Sequence, residues 1–204
     1  MIGIVDYGMG NVRSLFNAFE YIGCDVFVSG DPNELRRAER LLLPGVGAFG
    51  DAMAVIRERG LDQMLEEEVL KAGKPMLGIC LGMQMLAKKS TEHGEHDGLG
   101  WLDASVVRFD LPAEFKVPHI GWNDLQLVCD HPLFQGLGES PSFYFVHSFH
   151  MQCLQLTDVL ATCDYGIKFT AAVHRNNIIA TQFHPEKSQD NGLKVLENFL
   201  SWQP

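Results

Sequence analysis

The sequence has no uninterrupted apolar run long enough to span a bilayer, and its opening residues, Met1-Ile2-Gly3-Ile4-Val5-Asp6, lack the charged start of a secretory signal. Neither a membrane role nor export is expected. Positive charge is also scarce. Lys and Arg number 16 against 26 Asp and Glu, a formal net charge of −10. That argues against non-specific nucleic-acid binding, which needs clustered cations to neutralise phosphates. The five cysteines, Cys24, Cys80, Cys129, Cys153 and Cys163, are scattered, odd in number and never spaced C-x-x-C. This pattern speaks against a disulfide framework or a structural zinc site and for free thiols in a reducing cytoplasm. Internal repeats, low-complexity tracts and long linkers are missing too, so the 204 residues are expected to form one domain, 1–204.

What is present is an alternation of short apolar runs and helical patterns. Ile2–Asp6 reads as a buried strand, followed by a Gly-rich turn and a helix from about Asn11 to Ile22, with Val12, Leu15, Phe16 and Phe19 on one face. Val26–Val28 and Arg40–Leu43 read as further strands, the latter stopped by Pro44-Gly45. Helical patterns follow at Ala48–Arg57 and Leu61–Lys71. Pro75–Cys80 is a continuous apolar strand running into a helix near Gly82. Such alternation predicts an α/β fold, a mostly parallel sheet flanked by helices. The second half has strand patterns at Ala104–Phe109, Phe143–Val146, Val159–Cys163, Ala171–His174 and Ile178–Gln182 with few helices between them, so antiparallel additions to the sheet are expected. A helix over Gly192–Trp202 closes the chain, and the polar, Gly-rich stretch Lys88–Gly100 reads as a mobile loop.

Gly78-Ile79-Cys80-Leu81-Gly82 has the form G-x-C-x-G between a strand and a helix, the nucleophile-elbow pattern with sulfur in place of oxygen. A cysteine at a helix N-terminus favours the thiolate, and the Leu81 N–H would point where an oxyanion forms. A buried cysteine closing a core strand fits the same five residues. A second cluster, Thr181–Glu186, follows an apolar strand and carries His184 and Glu186. A base and a carboxylate leaving the C-terminal end of a strand could reach the elbow at the same sheet edge, as cysteine catalysis requires. Pro44-Gly45-Val46-Gly47 is a third element: glycines on both sides of Val46 let the backbone turn its N–H groups toward a neighbouring site, although an ordinary strand-to-helix turn reads the same way. His147 and His150 could suggest a metal pair, but strand alternation would put residues three apart on opposite faces.

Together these elements resemble the class I (triad) glutamine amidotransferases. The segments Asp6–Asn11, Pro44–Phe49, Leu77–Gln84, Val117–Asn123, Tyr144–Ser148 and Gln182–Ser188 carry the resemblance across nearly the whole chain, and are closest to the branch of glutaminase subunits that serves histidine biosynthesis. The resemblance implies Cys80 as nucleophile, His184 as base and Glu186 as its orienting carboxylate. It implies an oxyanion hole at Val46, Gly47 and Leu81, and glutamine-binding roles for Gln84, Glu92, His147 and Ser148. It implies no metal and no other cofactor. The implied partner is a (β/α)₈-barrel synthase forming a heterodimer, faced by Asn11, His119, Trp122, Asn123 and Tyr144. Paralogues of this branch supply ammonia to a sugar amidotransferase in surface-polysaccharide synthesis and share the same motifs. Two departures stand out: Phe149 where the family commonly has Tyr, and Ala87-Lys88-Lys89 in place of a more acidic, aromatic stretch.

Overall fold

Four strands of the chain are buried along their whole length, which only a sheet covered on both faces allows. They are β1 (Ile2–Val5), β3 (Arg40–Gly45, apart from its first residue), β4 (Met76–Cys80) and β13 (Ile178–Thr181). In the computed structural model, which describes residues 1–204, they run parallel and adjacent at the centre of a nine-stranded sheet of order β2-β1-β3-β4-β13-β12-β11-β8-β9. β2 (Val26–Ser29) is the parallel edge. On the other side β12 (Lys168–Arg175), β11 (Val159–Asp164), β8 (His119–Leu127) and β9 (Ser142–His147) follow as antiparallel neighbours.

Side chains alternate across the central strands and build two cores. On one face Ile4, Leu42, Leu77 and Ile79 pack with Leu15 and Phe19 of α1 (Val12–Ile22) and Phe199 of α6 (Gln189–Ser201). On the other face Val5, Leu41, Leu43 and Met76 pack with Phe49, Met53 and Ile56 of α3 (Phe49–Glu58) and Leu61 and Leu65 of α4 (Leu61–Leu65). Two short helices, α2 (Pro32–Leu35) and α5 (Leu81–Gln84), fill out the first half.

Several sequence expectations are corrected. Pro44 and Gly45 do not stop the third strand; they pair with Ile79 and Cys80, so the strand reaches the site. The helical pattern at Leu61–Lys71 is α4 continued by a wider turn over Glu66–Lys71. The stretch Lys88–Gly100 is not simply a loop. It contributes to β5 (Ala87–Ser90) and β6 (His96–Asp97), members with β7 (Leu102–Arg108) and β10 (Phe149–Cys153) of a second, four-stranded sheet. The strand expected at Ala104–Phe109 therefore does not extend the main sheet. β13 is parallel to β4, not antiparallel. β8 and β10 had no strand expectation at all. The departure Lys88-Lys89 lies on β5, with Lys88 bridged to Asp103 at 2.6 Å and Lys89 to Glu95 at 2.7 Å, both at the surface.

Candidate active site

Three parallel strands end at one sheet edge, because Gly45 stands opposite Cys80 and Ile79 opposite Thr181. Whatever leaves the C-terminal ends of β3, β4 and β13 shares a crevice there. Cys80 caps β4 with φ 55° and ψ −108°, a left-handed backbone that side chains rarely adopt. The turn is tight enough that a Cβ on Gly82 would lie 1.7 Å from the Leu43 carbonyl oxygen, so only glycine fits. Cys80 is 6% exposed at the floor of a cleft of about 330 Å³, lined also by Val46, Gly47, Leu81, Gln84, Val146, His147, Ser148, Phe149, His184 and Lys187.

His184 follows β13 on a loop pinned to β9. Its N–H donates to the Tyr144 carbonyl at 2.9 Å, and the Ser188 hydroxyl accepts from the Tyr144 N–H at 3.0 Å while donating to the His184 carbonyl at 2.6 Å. Its Nδ1 lies 2.8 Å from Glu186 Oε1, with both side chains shielded from solvent. Burial opposes a charge on this ring, but the Cys80 sulfur and the Glu186 carboxylate outweigh it and push His184 up to about 10. The other nitrogen, Nε2, is buried with no short hydrogen-bond partner, and the Cys80 side chain is the group that favours its proton. Asn11 Nδ2 also donates to Glu186 Oε1, at 3.3 Å. The side chain expected at a partner surface thus reaches the carboxylate of the His–Glu pair.

The remaining expected residues divide. Val46, Gly47, Leu81, Gln84, His147 and Ser148 line the cleft with Cys80 and His184. The Val46 N–H, however, donates to the Met9 carbonyl at 2.9 Å, whereas the Gly47 N–H makes no hydrogen bond to the protein. Glu92 is not among the lining residues; its carboxylate accepts the Phe49 N–H at 2.8 Å and caps α3. Trp122 is 48% exposed on β8, with Tyr144 edge-on at 6.2 Å and Ile120 58% exposed beside it. His119 and Asn123 face inward instead: His119 is buried, and Asn123 Nδ2 donates to the Asp164 carbonyl at 2.9 Å.

His147 and His150 do not lie on opposite faces. Between β9 and β10 the chain passes from one sheet to the other at Ser148, and both rings pack on Phe109, at 5.0 and 4.7 Å. No three His, Cys, Asp or Glu side chains converge as metal ligands would. Sequence reasoning missed Lys187 and Gln182 as site residues. Lys187 directly follows Glu186, and its ammonium sits 5.9 Å above the Tyr144 ring. Gln182 is a fully buried polar residue at the end of an apolar strand, which was the available signal.

Burial also depresses four histidines: His119 and His131 to about 4, His147 to about 3 against a raising hydrogen bond to the Phe149 carbonyl, and His150 in the same direction. A free histidine titrates near 6.5. Below that pH the unfolded chain binds protons that the folded chain refuses, so stability is expected to fall as pH drops from about 6.5 toward 4. Urea titrations at pH 7 and pH 4.5 check this. The drop should be smaller in His119→Phe than in the parent.

Residues 3–202 match the family described as glutamine amidotransferase class-I. The chain belongs to that family. Among class-I amidotransferases, the imidazole glycerol phosphate synthase subunit HisH of Sulfurimonas denitrificans is 50% identical over 206 residues, covering 100% of this chain and 99% of the relative. HisH of Rhodopirellula baltica is 51% identical over 201 residues, 98% and 97% of the two chains. The relative named HisH 2 in Pseudomonas aeruginosa is 44% identical over 200 residues, 98% of each. The fold matches that of PurLQS from Thermotoga maritima, with a TM-score of 0.76 at 20% identity over 98% of this chain and 96% of that one. No helix is long and apolar enough to cross a membrane.

Proposed function

We propose that this chain, acting as one catalytic domain over 1–204, hydrolyses glutamine and passes the ammonia to a synthase subunit of histidine biosynthesis. The observation that carries this reading is Cys80, set on a strained elbow in one cleft with a buried His184–Glu186 pair, in a chain half identical to HisH subunits. The Cys80 thiolate attacks the side-chain amide carbon, and the carbonyl π electrons move onto oxygen. Backbone N–H groups of Gly47 and Leu81, joined by Val46 once it is released from Met9, hold that oxyanion. Collapse breaks the C–N bond, and His184 Nε2 gives its proton to the leaving nitrogen, so ammonia departs and a glutamyl thioester remains. Water then attacks the thioester, His184 takes its proton, and glutamate leaves with the thiolate restored. Glu186 holds the His184 ring in place, charged or neutral, through both steps, and Asn11 holds Glu186.

The face carrying Trp122, Ile120 and Tyr144 is apolar, aromatic and beside the cleft mouth, which suits a heterodimer contact with a (β/α)₈-barrel subunit. Docking there would let ammonia pass between chains without meeting water, which would protonate it. In this reading, the barrel's reaction is the lyase-type step that makes imidazole glycerol phosphate. Free thiols suit a reducing, cytoplasmic setting.

The numbered name of the Pseudomonas relative favours a second reading, since it points to more than one such chain in an organism: ammonia supply to a sugar amidotransferase of surface-polysaccharide synthesis. Complementation separates the two. Expression in a histidine auxotroph lacking its own glutaminase subunit should restore growth without histidine; absence of growth, with the protein soluble, would favour the sugar-modifying role.

A further inference from the structure

Besides His184 and the Val146 carbonyl, 4.0 Å away, a side-chain amide lies within reach of the Cys80 sulfur. Gln182 is 0% exposed, and its amide Nε2 lies 3.6 Å from Cys80 Sγ. An amide presents either a donor or an acceptor to its neighbour, and the two ends differ only in which way it is turned. Here the orientation follows from the surroundings. Gln182 Oε1 accepts from Gln84 Nε2 at 3.0 Å, and Gln84 Nε2 also donates to the Phe149 carbonyl at 3.0 Å. A backbone carbonyl accepts only, so the Gln84 amide nitrogen is fixed toward Phe149, and Gln182 must turn its oxygen to Gln84 and its N–H to the sulfur.

The anchoring continues on the far side of the same carbonyl. His147 Nδ1 lies 2.8 Å from Phe149 O and must donate to it. In the neutral ring Nε2 is then an acceptor, so His119 donates to it from Nδ1, at 3.1 Å. His119 Nε2 is left as an acceptor, facing Asn123 Nδ2 at 3.4 Å. Every member of this set is buried or half-buried, and each fixes the polarity of the next. The two arms meet as donors on one oxygen, so protons cannot run through them. The arrangement is a positional frame, not a wire.

We propose that Gln182 acts directly on the nucleophile, donating its amide N–H to the Cys80 thiolate, and that the frame from Gln84 through Phe149 to His147 and His119 keeps that amide from turning its oxygen to the sulfur. The role rests on Cys80 being the nucleophile, and it deepens the proposed glutaminase site. A hydrogen bond to a buried charged acceptor is worth about 1.5–3 kcal/mol, or roughly 10- to 100-fold in the thiolate population.

The test uses the full chain and iodoacetamide, reading alkylation of Cys80 and of exposed Cys129 in the same sample by peptide mass. Gln182→Met keeps the volume and removes the donor. At pH 7 the Cys80 rate should fall about tenfold relative to Cys129, and it should move back toward the parent ratio near pH 10, where alkali and not a hydrogen-bond donor sets the thiolate population. An unchanged ratio at pH 7 overturns the proposal. So does an equal slowing at both pH values, which marks blocked access and not a lost charge partner. If Gln182→Met does not fold, Gln84→Met frees the Gln182 amide to rotate and should give the same pH-dependent loss in weaker form, about threefold; no loss there overturns the frame. Alkylation needs no glutamine, so this result stands apart from whether the chain hydrolyses it.

Discussion

Cys80→Ala is expected to lower glutamine-dependent synthesis by the two-subunit complex at least about 10,000-fold, the scale seen when a nucleophile is removed from a triad. The chemistry leaves no bypass. Without sulfur there is no thioester, and the amide nitrogen must leave against a water that nothing nearby activates as strongly. The backbone tolerates the change: alanine removes one buried atom, and Cys80 already holds φ 55° as an ordinary L residue. Ammonia added from outside enters the sequence after the lost step, so synthesis from ammonium salt should continue at close to the parent rate. The same split is not expected of a subunit that only binds or regulates.

The second large effect concerns the chain by itself. Isolated, it should hydrolyse glutamine on the order of 100- to 1,000-fold more slowly than in the complex during synthase turnover, the cost of one missing oxyanion donor. The Val46 N–H is committed to the Met9 carbonyl at 2.9 Å. Releasing it requires the peptide between Gly45 and Val46 to rotate. Gly45 cannot be replaced to ease this, since a Cβ there would meet the Tyr7 hydroxyl at 2.5 Å and Leu81 Cβ at 2.8 Å. Docking at the neighbouring Trp122–Tyr144 face could favour the rotated state. Coupled glutamate detection with and without the synthase subunit measures the ratio. Equal rates would mean that the turn does not limit the reaction.

Features close in sequence were the legible ones. β1, β3, β4 and β13 announced themselves as unbroken apolar runs because both faces are buried, and the elbow and the His-Pro-Glu turn are local patterns. β8 carried no strand expectation because it mixes buried His119 and Leu125 with exposed Ile120, Trp122 and Asp124, and only pairing with β9 and β11 makes it a strand. β5 and β6 are short and polar, and hold together by backbone pairing that composition does not encode. Contacts between distant residues were out of reach. Asn11 meets Glu186 across 175 positions, and Gln182 meets Cys80 across 102. Glu92 likewise holds a contact that no local pattern shows, accepting the Phe49 N–H at the start of α3.

The central claim, that Cys80 with His184 and Glu186 generates ammonia for a separate synthase site, is tested most directly by assaying the Cys80→Ala complex side by side with glutamine and with ammonium salt as nitrogen donor. Loss of the glutamine-driven reaction with the ammonium-driven one retained is the predicted result. Loss of both, or of neither, would contradict the account.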